Sequence, residues 1–184
     1  MTKQEENDLI WESFICNESP QRIDGNMYTT GKMLETLSGD VLRTTYGEPL
    51  GTLKDGTDVY HSETYMIFFF VLNNVVTAYY NYIENPDGGV ISKTTWSNPH
   101  HRGSFSKIFI SYLLPTFKII QSDSRLTTLG FKFWENIMSK YPQFDYFIKI
   151  GNDYTPISDY TELSNYWNID MIGEKSSFVV KYDK

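Results

Sequence analysis

The sequence predicts an α+β fold, a central mixed, mostly antiparallel β-sheet flanked by helices, in a single domain spanning residues 1–184. Three observations lead there. Two apolar, β-rich runs, Thr64–Leu72 and Val75–Ile83, are joined by Asn73-Asn74, a pair that tolerates the positive φ of a two-residue hairpin turn. From residue 104 onward the apolar period changes from that of a strand to that of a helix. The order then becomes strand, helix, strand, helix, strand, strand, and antiparallel strands followed by a β–α–β unit require a mixed sheet.

The elements follow in chain order. Residues 4–16 read as an amphipathic helix with Leu9, Ile10, Phe14 and Ile15 on one stripe and Glu5, Glu6 and Glu12 outside it. Asn17-Glu18-Ser19-Pro20 breaks the helix, and residues 20–57 are weakly patterned. Within them Thr30–Leu37 reads as helical. Gly39, Gly47, Gly51 and Gly56 then punctuate short extended pieces, Val41–Tyr46 among them. Thr64–Leu72 is nearly all apolar, as a strand buried on both faces must be. Asn85-Pro86-Asp87-Gly88-Gly89 is a turn, and Val90–Trp96 a strand ended by Ser97-Asn98-Pro99.

Phe105, Ile108, Phe109, Tyr112 and Leu113 line one face of a helix from 104 to Leu114, which Pro115 should end. Lys118–Ser122 reads as a strand. A second helix carries Leu126, Leu129, Phe133, Trp134, Ile137 and Met138 on its apolar side and closes at Tyr141-Pro142. Phe144–Ile150 is a strand, Gly151–Asp170 a polar, aromatic-rich loop, and Ser176–Tyr182 a last strand. Residues 58–150 are thus the recognisable core, with an N-terminal part at 1–57 and a C-terminal loop and strand at 151–184.

Composition narrows the function classes. A net charge of −7 without any Lys/Arg run argues against a long nucleic-acid footprint. It leaves room for a small anion, which backbone N–H groups can hold. The single cysteine, Cys16, allows no internal disulfide and suits a reducing, cytoplasmic compartment. The acidic start is not a signal peptide, and the longest apolar run, Met66–Leu72, is too short to span a bilayer, so no membrane role is expected. His100 and His101 lack a second His/Cys cluster, so no metal site is expected.

Chemistry concentrates between Val90 and Phe109. A strand feeds Ser97-Asn98-Pro99-His100-His101-Arg102-Gly103-Ser104 and then an amphipathic helix. The unpaired N–H groups and positive dipole end of such a helix start attract a phosphate. This stretch resembles the GNAT superfamily of acyl-CoA N-acyltransferases, in which a strand, a Pro-x-x-Arg-Gly-x-Gly-x-Gly/Ala turn and a helix hold the pyrophosphate of acetyl-CoA. Pro99, Arg102 and Gly103 match in order and spacing. Ile119–Asp123 stands where the family has its next strand. Gly130 stands at a small-residue position that the family follows, four residues on, with tyrosine.

Two departures accompany the match. Phe105 and Lys107 occupy the later glycine positions, and Trp134 replaces the tyrosine that often protonates the departing thiolate. On their own, Phe105 and Trp134 read as core residues.

The resemblance implies acetyl-CoA as cofactor, with Thr94, Thr95, Arg102, Gly103, Ser104, Phe105, Ser106 and Lys107 around it, and an amine of a small molecule or peptide as acceptor. Backbone N–H groups near Lys93-Thr94-Thr95 would meet the thioester oxygen. The base would be Glu63 or His61, directly or through water, and the acid Tyr141 or Tyr112. A second reading keeps the fold as a binding or structural protein with a protein partner. The segment Glu6–Glu12 and the abundance of Tyr, Asn and Ile are similar to small bacteriophage proteins, which would make that partner a host or virion protein. Asp153, Asp159 and Glu162 stand as lining for an acceptor pocket or as a solvated loop.

Overall fold

The computed structural model of the chain describes residues 34, 35, 37–101, 104–167, 170–171 and 174–183. The expected helix at 4–16, Cys16 and the first part of the 30–37 stretch lie outside them. The described residues form an α+β protein with a mixed, mostly antiparallel sheet flanked by helices. Two compact units divide it. One runs to Asn81 and includes Thr94–Ser104; the other takes Tyr82–Lys93 and Phe105 to the end.

In the first unit, β1 (Gly51–Thr52), β2 (Asp58–Ser62), β3 (Ile67–Leu72) and β4 (Val75–Glu84) pair antiparallel in that order. Asn73 and Asn74 have φ of 51° and 65°, so the two-residue turn forms as their side chains allow. A central position buries β3 on both faces from Ile67 to Val71. Ile67, Phe69 and Val71 share one face with Tyr60, Val76 and Tyr79 and pack on Leu34 and Leu42. A register shift between Phe70 and Val71 is tied down by Thr77, whose hydroxyl donates to the Phe70 carbonyl at 3.2 Å.

Val41–Tyr46 is not extended. It lies in helix α1, Gly39–Tyr46, because both ends are capped. Ser38 Oγ accepts from the Val41 N–H, and Gly47, at φ 83°, donates its N–H to the Arg43 carbonyl. The helix start docks on the hairpin turn, where Asn74 accepts from Gly39 and Asp40 N–H groups and donates to the Asp40 carboxylate.

In the second unit the strand order is β5 (Val90–Ser97, of which Val90–Lys93 belong here), β6 (Ile119–Gln121), β10 (Glu174–Lys181), β7 (Asp145–Ile150) and β8 (Asp153–Ile157), with β9 (Asp170–Met171) beside the start of β10. β5 and β6 run parallel; the pairings from β6 through β8 are antiparallel. β8 and a 3-10 helix, Tyr160–Tyr166, occupy the stretch expected as loop.

Helix α2 begins as Ser104–Ile108, passes through a π-helical turn at Phe109–Leu113 and finishes as Leu114–Phe117. Pro115 therefore does not end it. The wider turn has Leu114 N–H reaching back to the Phe109 carbonyl, and the proline follows at the start of the next α-helical turn, where its missing N–H costs little. The helix stops at Lys118, φ 67°. Helix α3, Thr128–Lys140, is capped by Thr127 and buries Phe131, Trp134, Ile137 and Met138. Its stripe is rotated from the expected one: Leu129 is 79 % exposed and Phe133 only half-buried.

Candidate functional site

The β5–β6 pair defines the candidate site by topology. In open parallel α/β sheets ligands bind in the crevice beyond the strands' carboxyl ends, at a switch in strand order, and β5–β6 is a parallel pair here. The ladder registers Val90 with Ile120 and Ile91 with Gln121. Two residues further, Lys93 Nζ lies 3.5 Å from Asp123 Oδ2, both side chains about one-third exposed. Asp123 is oriented by the Ser124 N–H, which donates to its Oδ1 at 2.7 Å. Ser122 locks the start of this segment to β10. Its N–H donates to the Phe178 carbonyl, and its Oγ accepts from the Phe178 N–H and donates to the Asp123 carbonyl. Beside Asp123 lies a shallow dent lined by Ser122, Ser124, Leu126, Tyr166, Trp167 and Phe178, too tight to admit a water molecule.

Of the expected cofactor residues, Arg102 and Gly103 lie outside the described residues. Thr94 and Thr95 continue β5 in the first unit, half-buried. There the strand ends at Asn98, which sequence reasoning passed over. Its backbone N–H donates to the Thr77 carbonyl, its Nδ2 to the Val76 carbonyl at 3.2 Å, and its Oδ1 accepts from the His100 N–H. Buried to 4 % exposure, Asn98 anchors the 3-10 turn Pro99–His101 to the sheet. The Asn-Pro dipeptide after a strand was the available signal.

Ser104 opens α2, Lys107 is exposed and Ser106 buried. Phe105 is 6 % exposed and committed to an aromatic core, 5.3 Å from Phe133 and 6.2 Å from Phe109 between ring centres. The same core takes Trp134, at 5.9 Å from Phe109 and 6.1 Å from Phe178. Phe105 and Trp134 are thus structural in this fold.

The expected proton-transfer residues are dispersed. Glu63 is exposed in the turn between β2 and β3. His61, on β2, is half-buried and stacked on Phe68 at 4.1 Å, and burial pushes its imidazole below the ordinary value against the opposing pull of Glu63. At neutral pH it is a neutral base. Tyr112, in the π turn of α2, is half-buried, and burial raises its phenol. Tyr141 caps α3, donating its N–H to Ile137 and accepting from the Tyr146 hydroxyl at 2.7 Å. It precedes the amino end of β7. Because β6 and β7 both run antiparallel to β10, that end is opposite to the Asp123 crevice.

A larger groove of about 530 Å³, lined by Met138, Phe144, Asp145, Phe147, Pro156 and Ile157, opens at that same far end. It lies away from the carboxyl ends of the parallel pair, and Asp145, Tyr146 and Ser158 are among its lining residues. Asp153 is exposed on β8, and Asp159 caps the 3-10 helix, accepting from the Thr161 N–H and hydroxyl; those two bonds hold its carboxyl below the ordinary value. Among the described residues no group of three or more His, Cys, Asp or Glu could hold a metal, and no helix is long and apolar enough to cross a membrane.

No protein-family model matches the sequence, and no curated protein matches it. Among solved structures, the crystal structure of "a putative acetyltransferase from Thermoplasma acidophilum" aligns with 84 % of this chain at 12 % identity and a TM-score of 0.33. This chain spans 63 % of that protein's length.

Proposed function

We propose that the strand–turn–helix segment running into α2 binds the pyrophosphate of acetyl-CoA, and that the chain is an N-acyltransferase acting on an amine. The observation that carries this reading is the parallel β5–β6 pair, whose ladder ends after two positions and whose connection is α2. The first turn of a helix carries unpaired N–H groups that suit an anion.

The residues present are compatible with that ligand. Phenylalanine at a glycine position would crowd a phosphate only if its ring faced the ligand, and the Phe105 ring is packed on Phe109 and Phe133 instead. Lys107, in the first turn of α2, is exposed and carries a charge that suits an anion. When bound, acetyl-CoA supplies an activated thioester. In this reading the backbone N–H groups of Thr94 and Thr95 would face the carbonyl oxygen, Arg102 and Gly103 would form the phosphate turn, and Ser104 and Ser106 would belong to the first helical turn. A neutral His61 or the carboxylate of Glu63 is the base of this reading, and Tyr141 or Tyr112 the acid. Burial of Trp134 removes any acid at its own position.

Titration with acetyl-CoA by calorimetry tests the binding step. Arg102→Ala should weaken it about ten- to a hundredfold by deleting charge-assisted bonds to phosphate, while the melting temperature of the unliganded protein stays nearly unchanged. Failure of the wild-type protein to bind acetyl-CoA sinks the reading. Thiol release from acetyl-CoA with an amine panel tests turnover. Binding without turnover would leave a CoA-binding domain, the non-catalytic form of the same fold.

A further inference from the structure

Two carboxylates of the second unit have opposite surroundings. Asp87 is satisfied: Lys149 Nζ meets its Oδ2 at 2.6 Å, and the Tyr154 hydroxyl donates to the same oxygen at 2.7 Å. Asp145, exposed at the start of β7, has another carboxyl for a neighbour. A side-chain hydrogen bond with Asp183, followed by lost hydration and the Asp183 charge, pushes the Asp145 carboxyl above its ordinary value against the pull of Lys181. Lys181 stands opposite Asp145 in the ladder, but its ammonium lies 4.8 Å from the Phe147 ring centre and 5.3 Å from that of Tyr154.

Asp145 also lines the groove of about 530 Å³ at this end of the sheet, a volume in the range of ligand-binding clefts. Much of the remaining wall is rings and apolar chains, among them Met138, Pro142, Phe144, Pro156 and Ile157. β8 ends the strand order, and an edge strand ordinarily invites another strand to pair with it. Pro156 stands in β8 opposite Phe147 and brings no N–H, which works against strand addition there. The groove therefore suits a chain that is extended without needing backbone partners. A polyproline II segment meets that condition, because its backbone stays hydrated and its pyrrolidine rings pack on aromatic grooves. The carboxyl pair adds a charge requirement. A guanidinium is the cation whose forked N–H groups bond carboxylate oxygens side by side. From Gly151 to Glu174 the sequence has no lysine or arginine to compete for that place, and Asp153, Asp159 and Glu162 add negative charge.

We propose that this groove docks an arginine-bearing, proline-rich segment of a partner protein, with the guanidinium on Asp145 and Asp183 and the prolines against Pro142, Phe144 and Pro156. It is a recruitment surface, set at the end of β7 opposite to Asp123, and it stands independently of the acyltransferase reading. An arginine side chain, always charged, is held here as a cation and takes no acyl group.

The probe is an end-capped, fluorescein-labelled proline–leucine peptide carrying one arginine, placed at each position in turn and read by anisotropy at physiological ionic strength. At least one arginine peptide should bind the wild-type protein. Citrulline in place of the arginine should weaken that peptide about tenfold or more, and glycine in place of the prolines should weaken it by a similar factor. Asp145→Asn/Asp183→Asn should weaken it about tenfold or more and erase the difference between arginine and citrulline. Ser158→Arg, which brings a competing guanidinium to the exposed rim, should weaken it as well. All three positions are exposed, so melting temperatures should stay near that of the wild-type protein. The proposal is overturned if no arginine peptide binds, if the citrulline peptide binds equally, or if neither variant weakens binding. Equal binding of the glycine peptide would reduce the contact to charge attraction and overturn the polyproline docking too.

Discussion

The two ends of the β5–β6 pair are built on opposite plans. At the amino end, the turn into β5 presses its backbone against β6. A Cβ on Gly89, at φ +72°, would lie 2.0 Å from the Ile119 carbonyl oxygen. Asn85, which precedes that turn, donates from Nδ2 to Gln121 Oε1 at 3.0 Å, and both residues are buried. At the carboxyl end, two residues beyond the ladder, the long Lys93–Asp123 contact bridges the strands. The amino end is thus held by backbone packing and the carboxyl end by a side-chain contact.

The largest effect should come from disturbing that backbone packing. Gly89→Ala forces backbone to move against backbone and imposes a left-handed φ on a residue with a side chain, so it should cost about 4 kcal/mol or more. A shift in the denaturation midpoint at constant m-value would register it. A loss under about 1 kcal/mol would mean that the turn relaxes to accept the side chain.

The crossover helix that joins the two strands comes next. Phe109 is 1 % exposed and contacts Phe105, Phe133 and Trp134. Phe109→Ala should cost about 3–5 kcal/mol. Leu129→Ala, at a position 79 % exposed, should change stability by no more than about 0.5 kcal/mol. Equal losses at both would return the apolar stripe of α3 to the rotation expected from its sequence.

At the open end the expected effect on folding is smallest. Asp123→Asn breaks a half-exposed pair of poor length and should leave stability within about 1 kcal/mol of wild type. The pH dependence sharpens the contrast with the closed pair. Hydrogen bonds from Lys149 and then Tyr154 hold the Asp87 carboxyl below its ordinary value, and the bond to Asp87 raises Lys149 above its own. For Asp87 the native value is the lower one, so its contribution is present above the ordinary carboxylate range and fades as pH falls through the native value. For Lys149 the native value is the higher one, so its contribution is complete below the ordinary lysine range and fades as pH rises through the native value. In unfolding experiments from acid to alkali, Asp87→Asn should flatten the acid limb relative to wild type. An unaltered acid limb would show that the tight pair has no thermodynamic weight.

Much of this arrangement was legible in the chain, and the pattern of successes has a physical cause. Asn73-Asn74 specified its hairpin because turn chemistry is local: the residues that need positive φ are the ones that tolerate it. The two-sided burial of β3 followed from its unbroken apolar run. The parallel crossover followed from the change of period at residue 104, and Phe105, Phe109 and Trp134 entered the core as their spacing indicated. Helix α1 was also written locally, in Ser38 and Gly47, but the β-branched residues and Gly39 between them masked the caps.

Contacts distant in sequence decided the rest. Which side of α3 faces inward depended on what it packs against, so Phe131 took the place expected for Leu129 and stacked with Trp167. β8 has little apolar pattern of its own and exists through its pairing with β7, a ladder from Tyr146↔Ile157 to Ile150↔Asp153. Pro115 sits in a helix because a π turn precedes it. The Lys93–Asp123 pair joins residues thirty positions apart, and no spacing rule connects them. By itself the sequence determined the fold class and the central hairpin, because each rests on local backbone preference or on periodic burial. The tertiary structure alone decided where the parallel strands part and which carboxylate stands in the opening, because that geometry is set by the backbone contact at Gly89 and by the register of strands the chain brings together only when folded.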